Sequence, residues 1–239
     1  MRYNLVMTQE EFVSNLAQNN IVVSEEQLEQ FAVYYALLSE HSRNMNLTTI
    51  IKEEEVYSKH FYDSLLLLAD GEFSGAVVDV GSGAGFPGIP IKIMCPDVKL
   101  TIVEPTGKKI GFIELVVREL KLTEVELVNR RAEDFAAEKR EFFDIAVCRA
   151  VADLAVISEL CLPLIKVNGE FWAMKGPGGE EELAKSQAAI KTLGGTVKGI
   201  FRHYYDNQSR CNIVIIKTKA TPLKYPRNYG QIKNSPLGR

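Results

Sequence analysis

No run of this sequence is apolar for long enough to cross a bilayer. Stretches such as Ser64–Ala69 and Ile213–Ile216 are among the longest, against the roughly 20 residues a membrane helix needs. The opening MRYNLVMTQEEF lacks the apolar core of a secretion leader. Cysteine is scarce. Cys95, Cys148, Cys161 and Cys211 are scattered in apolar surroundings without a C-x-x-C pair, which argues for reduced, buried thiols and against a disulfide framework or a metal site. The three histidines are equally dispersed, and the chain has no internal repeat or low-complexity tract. These absences set aside membrane-spanning, disulfide-stapled, metal-centred and solenoid proteins, and lead to the expectation of a cytoplasmic chain. Asn46-Leu47-Thr48 and Asn207-Gln208-Ser209 match a glycosylation acceptor, for which such a chain has no use.

What is present is a globular composition: 239 residues, 46% hydrophobic, enough for one main domain with a small addition. The net charge of −3 is unevenly spread, since residues 1–75 carry 4 Lys/Arg against 12 Asp/Glu. From Lys217 onward there are six basic residues and no acid, with Tyr225 and Tyr229 interleaved. Such a tail is either a solvated basic segment or a surface that pairs with phosphates and stacks on bases.

Apolar residues recur at helical spacing over Gln9–Leu16 and Ser24–Ser39, the second opened by a capping box of Ser24 and Gln27. A further helix is expected over Glu53–Leu68. Residues 1–70 therefore read as a helical cap, with Gly71–Gly75 as the joint to residues 71–239. From Ala76 strands and helices alternate: Val77–Val80, Lys99–Val103, Glu126–Val128, Asp144–Cys148 and Glu170–Met174 are strands with helical patterns between them. This predicts a mostly parallel sheet with right-handed crossovers. Gly195–Arg202 and Asn212–Thr218 lie too close together for a crossover, so they predict a hairpin that puts one antiparallel strand into the sheet near the C-terminus.

The most informative segment is Val77–Pro90, VVDVGSGAGFPGIP. An apolar strand reaches Asp79 and then runs into Gly81, Gly83 and Gly85, a turn whose bare backbone lets a ligand lie against the main chain. In the dinucleotide pattern G-x-G-x-x-G/A, Phe86 would occupy the last small position, which argues against a pyrophosphate at the helix start. Ligands of open α/β sheets bind at the carboxyl ends of the strands, so the residues following each strand are the candidates. Glu104 follows the second strand, where a carboxylate can accept from two ribose hydroxyls or simply serve a helix N-terminus. Arg130-Arg131-Ala132-Glu133-Asp134 follows the third, offering a small residue to an adenine ring. Cys148-Arg149-Ala150-Val151-Ala152 follows the fourth, placing an arginine at the rim for a carboxylate or a phosphate, or for a surface ion pair.

The G-x-G-x-G spacing two residues after an acid resembles motif I of the class I S-adenosylmethionine-dependent methyltransferases. Together with RAEDF, CRAVA, ELCLPLIKVNG and the upstream NLT and HFYDSL, it makes the chain similar, from about Leu28 to Pro236, to the bacterial 16S ribosomal RNA guanine-N7 methyltransferase family, formerly named glucose-inhibited division protein B. His41 and Ser42 stand where that family commonly has a Trp-Asn pair. The resemblance implies a Rossmann-like α/β fold, S-adenosylmethionine as cofactor, and methylation of N7 of the guanine called position 527 in the 530 loop. It places cofactor contacts on Gly81, Phe86, Ala132, Glu133 and Arg149, to which the loop and strand reading adds Asp79, Gly83, Gly85 and Glu104. Guanine N7 has a free lone pair, so no general base is expected. Asp63 and Arg149 are the candidate catalytic groups, with His60 and Asn46 as further substrate-side candidates. Arg130, Arg131, Lys175, Lys224, Arg227 and Lys233 are the candidate RNA contacts, the partner is 16S rRNA or the small ribosomal subunit, and the protein is expected to act as a monomer. A small-molecule methyltransferase, a dehydrogenase and a non-catalytic RNA-binding assembly protein are the rival readings.

Overall fold

The structure, a computed structural model, describes residues 7–149 and 151–238. Residues 1–6 of the cap, Ala150 of the post-β4 run and Arg239 of the tail lie outside them. The helical N-terminal part comprises α1 (Gln9–Gln18), α2 (Glu25–Met45), α3 (Glu53–Val56), a π-helical turn (Tyr57–Tyr62) and α4 (Asp63–Asp70). The alternating part follows as β1 (Ala76–Val80), α5 (Gly88–Met94), β2 (Lys99–Val103), α6 (Gly107–Glu119), β3 (Val125–Val128), α7 (Ala132–Phe135), β4 (Phe143–Arg149), α8 (Leu154–Cys161) and β5 (Ile165–Lys175). It closes with α9 (Gly179–Thr192), β6 (Gly195–Tyr205), β7 (Gln208–Lys217) and α10 (Tyr229–Asn234).

The strands form one seven-stranded sheet in the order β3-β2-β1-β4-β5-β7-β6. Pairings from β3 through β5 are parallel, and β7 runs antiparallel to both β5 and β6, as the short β6–β7 connection requires. That connection is Asp206-Asn207, both with positive φ, the backbone of a tight hairpin turn whose twist matches the strands. The order reverses between β1 and β4, so their carboxyl ends diverge into a crevice.

Two hydrophobic clusters cover the faces of the sheet, and the strands feed them alternately. Val77, Ile145, Val147, Trp172 and Val214 join one; Val78, Ala146, Cys148, Phe171, Ala173 and Ile213 join the other. The N-terminal helices share the first cluster, with Phe12, Phe31, Tyr34 and Phe61 buried alongside Ile89 of α5 and Phe112 of α6. Their starts are fixed by capping boxes, the expected one at Ser24–Gln27 and a second at Thr8–Glu11. At the divergent pair, the buried Ser42 hydroxyl donates to Leu38 O and the His41 ring packs against Phe112.

The helix expected over Glu53–Leu68 is not uniform. It widens into the π-helical turn, in which Tyr57, Ser58, His60, Phe61 and Tyr62 are all buried. A single α-helical stripe cannot serve that many buried side chains, and the extra residue per turn lets Tyr57 and Phe61 pack on the aromatic cluster while His60 and Asp63 turn toward Arg149. Such turns recur at functional sites.

Candidate cofactor and substrate cavity

A cavity of ≈470 Å³ opens at the carboxyl ends of β1, β2 and β4. Its floor is the loop Gly81–Ala84 with Phe86. Its walls are Val103–Thr106, Lys109, Arg131–Glu133, Arg149 and Val151, and Leu47, Thr48, His60 and Tyr229 come from outside the sheet. Of the loop glycines, Gly83 has positive φ, and a Cβ there would project into open space. Gly85 serves a different need: at φ +104 a Cβ would meet Tyr34 Oη at 2.7 Å and Ile89 Cγ1 at 2.8 Å. Gly83 thus belongs to the cavity, and Gly85 packs the loop on α2 and α5.

Glu104 is nearly buried and ties this floor to the wall, accepting from Gly83 N at 3.1 Å and Thr106 N at 3.0 Å. Each carboxylate oxygen keeps lone-pair capacity for a ribose hydroxyl, and Lys109 stands 3.9 Å away. Ala132 and Glu133 line the cavity. Asp79 does not line it. Its carboxyl is wholly buried beneath the loop, accepts from Gly88 N at 2.7 Å and leaves Oδ1 without a hydrogen-bond partner among the described residues, so it holds the loop to the start of α5.

Phe86 is the pivot of the opposite end. Its ring stacks on Tyr34 and on His60, with centroids 5.3 and 4.5 Å apart, and the Arg149 guanidinium lies 4.9 Å from its centre. Arg149 donates to Lys59 O and Asp63 Oδ2, each at 3.1 Å, and faces His60 Nδ1 at 3.2 Å. Asp63 also accepts from Tyr205 Oη and pairs with Arg210 Nε at 3.4 Å. The candidate catalytic pair therefore divides: Arg149 lines the cavity, and Asp63 stands behind it as the anchor that joins the β6–β7 hairpin to the cap. Asn46 lies at the left-handed end of α2, exposed and outside the cavity lining.

Burial, with the Arg149 charge second, holds the His60 imidazole down at about 3, and burial pushes the Asp79 carboxyl up to about 7. These shifts act oppositely on stability. Between about pH 4 and 7 folding retains the proton on Asp79, so that group costs stability as pH rises; between about pH 3 and 6.5 folding excludes the proton from His60, so that group costs stability as pH falls. Asp79→Asn should unmask the histidine, making the unfolding free energy fall faster on acidification from pH 6.5 to 4.5 than in the wild type. His60→Asn should shift the slope the other way. Each difference should be about 1.4 kcal/mol per pH unit at most, read by urea unfolding at the two pH values; parallel slopes in all three proteins would exclude these assignments.

The candidate RNA contacts fare unequally. Arg130 and Arg131 are exposed, the first paired with Glu138 and the second lying over the Tyr229 ring at 5.1 Å. Lys224 and Lys233 are exposed in the tail. Lys175 is not available to a phosphate, because it is buried between Ala152 O at 2.6 Å and Glu182 at 2.8 Å. Arg227 is likewise committed, to the fully buried Glu159. Lys217, the first basic residue of the tail, is buried on Leu162 O, Ile165 O and Glu141. Lys217 and Arg227 of the tail are thus structural, and Lys219, Lys224 and Lys233 are exposed.

Sequence reasoning left Thr48, Lys109 and Tyr229 out of the site. Thr48 stood in the NLT run and Tyr229 among the tail aromatics, but neither pattern says that the segment folds back onto the sheet edge. Lys109 carries no local signal.

Residues 27–209 match the protein family described as rRNA small subunit methyltransferase G. The chain belongs to the rRNA small subunit methyltransferase G family. Ribosomal RNA small subunit methyltransferase G of Bacillus velezensis is 47% identical over 237 residues, 97% of this chain and 99% of that one. The Pediococcus pentosaceus protein of the same name is 47% identical over 242 residues, 98% of this chain and all of that one. Among solved structures, YcgJ from Bacillus subtilis shares the fold at TM-score 0.53 and 16% identity, covering 67% of this chain and 100% of that one. TYW2 from M. jannaschii in complex with AdoMet does so at TM-score 0.53 and 13% identity, covering 70% and 77%. The cavity fits S-adenosylmethionine: the open face of Gly83 in the floor and the spare acceptor capacity of Glu104 and the small Ala132 in the walls leave room and partners for it.

Proposed function

We propose that this protein methylates N7 of a guanine in 16S rRNA, the one called position 527 in the 530 loop, acting as a monomer in the cytoplasm. It is an S-adenosylmethionine-dependent rRNA methyltransferase, and the cofactor supplies an electrophilic methyl group on a cationic sulfur. Gly83, Glu104, Ala132 and Glu133 hold the nucleoside end of that cofactor. Phe86 and Arg149 bound the far end, where the acceptor enters.

The observation that carries the N7 assignment is the state of the groups at this far end. His60 is held between Arg149 and Thr48, and Arg149 is held by Asp63, so the titratable side chains beside Phe86 are already committed to one another. An exocyclic amine or a ribose hydroxyl must lose a proton to be methylated, whereas N7 attacks with a lone pair it already has on the major-groove edge. Positioning then supplies the rate, a contribution that can reach roughly 7–11 kcal/mol. Residues 1–70 act as the cap on the substrate side, contributing Leu47, Thr48 and His60 to the cavity. Arg130, Arg131, Lys224 and Lys233 are the phosphate contacts, and the target base must be unstacked to reach the cavity.

The test is transfer of labelled methyl from S-adenosylmethionine to small-subunit rRNA and to particles from cells lacking this protein, mapped by cleavage at 7-methylguanine. Label at one guanine of the 530 loop is the expected result. Labelling of another atom or another rRNA site would overturn the N7 assignment.

A further inference from the structure

Thr48 is held in an unusual hydrogen-bonding state. The guanidinium of Arg149 has only donors, and its Nη2 faces His60 Nδ1 at 3.2 Å, so Nδ1 must accept. The proton of the neutral ring therefore sits on Nε2, which faces Thr48 Oγ1 at 3.0 Å. Nε2 donates there and Thr48 accepts. Thr48 Oγ1 accepts a second bond from Ile50 N at 3.1 Å. Both lone pairs of the hydroxyl are thus used from inside the protein. Its own proton is left for the cavity, which Thr48 lines beside Phe86 and Arg149.

Arg149, His60 and Thr48 therefore form a relay of fixed polarity that ends in an obligate donor at the acceptor end of the cavity. The major-groove edge of guanine offers two acceptors, O6 and N7, whereas adenine puts an amino donor at the position of O6. We propose that Thr48 is a specificity-determining residue, whose hydroxyl donates to O6 of the target guanine and so leaves N7 free and oriented for methyl transfer. An adenine in the same place would set its amino protons against the hydroxyl proton and leave both unpaired, a mismatch that sites of this kind reject strongly. His60 acts one step back as a positioning residue, because it fixes which way the Thr48 hydroxyl points.

This inference rests on the guanine-N7 reading above, and the experiment separates the two. Small subunits are assembled from 16S rRNA ligated to carry guanosine, inosine or 2-aminopurine at the guanine the wild-type protein methylates. Inosine keeps O6 and N7; 2-aminopurine keeps N7 and lacks O6. Thr48→Val should lower kcat/KM by about tenfold on guanosine and inosine, the loss of one hydrogen bond with its partner left unpaired, and should cause no further loss on 2-aminopurine. Thr48→Ser should restore activity on guanosine, and cofactor affinity should be unchanged in both variants. A Thr48→Val loss equal on all three bases would assign Thr48 a purely structural role and overturn the proposal, as would full activity of Thr48→Val on guanosine. Failure of the wild-type protein to methylate N7 of any guanine would instead overturn the function on which the inference rests.

Discussion

Arg227→Ala should lower the unfolding free energy by about 3 kcal/mol and weaken cofactor binding, while leaving the salt dependence of RNA binding unchanged. Glu159 has no exposed surface and receives three hydrogen bonds from this one residue: the backbone N and Nε on Oε1, both at 2.9 Å, and Nη2 on Oε2 at 2.6 Å. Truncation strips the guanidinium from a buried carboxylate and leaves it only the backbone N–H of residue 227; breaking a buried pair in this way costs roughly 3–5 kcal/mol. The lower end applies because the Arg227 side chain is 22% exposed. The functional arm follows from chain geometry. Arg227 anchors the segment that runs from β7 to α10 two residues before Tyr229, which lines the cavity under Arg131, and that segment's other anchor is Arg140 on the carbonyls of Thr221, Pro222 and Tyr225. Urea unfolding and calorimetric titration of S-adenosylmethionine read the two effects. Glu159→Gln added to Arg227→Ala should recover part of the stability, because a neutral amide tolerates burial better than a lone carboxylate. A variant of full stability whose RNA salt slope is lowered would return Arg227 to the role of phosphate contact.

For Arg149→Met the expected result is a folded protein that has lost at least about 100-fold in kcat/KM for rRNA methylation. Arg149 stacks on Phe86, holds the cap through Lys59 O and Asp63, and fixes the His60 tautomer, so its loss loosens the acceptor end of the cavity on several sides. Displacement of reacting groups by about 1 Å is enough for a loss of that size. The fold survives because Asp63 keeps Tyr205 and Arg210 as partners, so the stability cost should stay near about 1–2 kcal/mol. Arg149→Lys should rescue little, since an ammonium on a flexible stem cannot reproduce the planar fork that meets Lys59 O, Asp63 and His60 together. Single-turnover methyl transfer beside thermal unfolding is the measurement. Activity of Arg149→Met within threefold of wild type would remove Arg149 from the machinery.

The elements of this molecule were legible wherever the information was local. Lys99–Val103 is β2 to the residue, because an apolar run bounded by turn residues needs no tertiary context. Ser24 and Gln27 close their capping box within one helical turn. The hairpin near the C-terminus followed from the short spacing of two strand runs, although its strands extend to Tyr205 and from Gln208. The π-helical turn at Tyr57–Tyr62 was not legible, because it is imposed by the aromatic surfaces on which the segment packs rather than by its own propensities.

The same division governs the site. The sequence alone determined the alternation that builds a parallel sheet and the glycine loop after β1, and it determined that Glu104, Ala132, Glu133 and Arg149 follow strands whose carboxyl ends share one edge. Strand polarity and the loop's need for bare backbone are short-range physics, written residue by residue. Only the tertiary structure decided which charges are free. Asp79, Lys175, Lys217 and Arg227 look alike on paper to groups that meet a ligand, yet each is consumed by a partner: Gly88, Ala152 and Glu182, the Leu162–Ile165 carbonyls, and Glu159. Burying a charge or a carboxyl is tolerated only with such a partner, and the partners lie on another element, as Gly88 and Glu182 do, or far away in sequence, as Glu159 does. The folded cap and tail, which bring Thr48, His60 and Tyr229 to the sheet edge, are what complete the cavity.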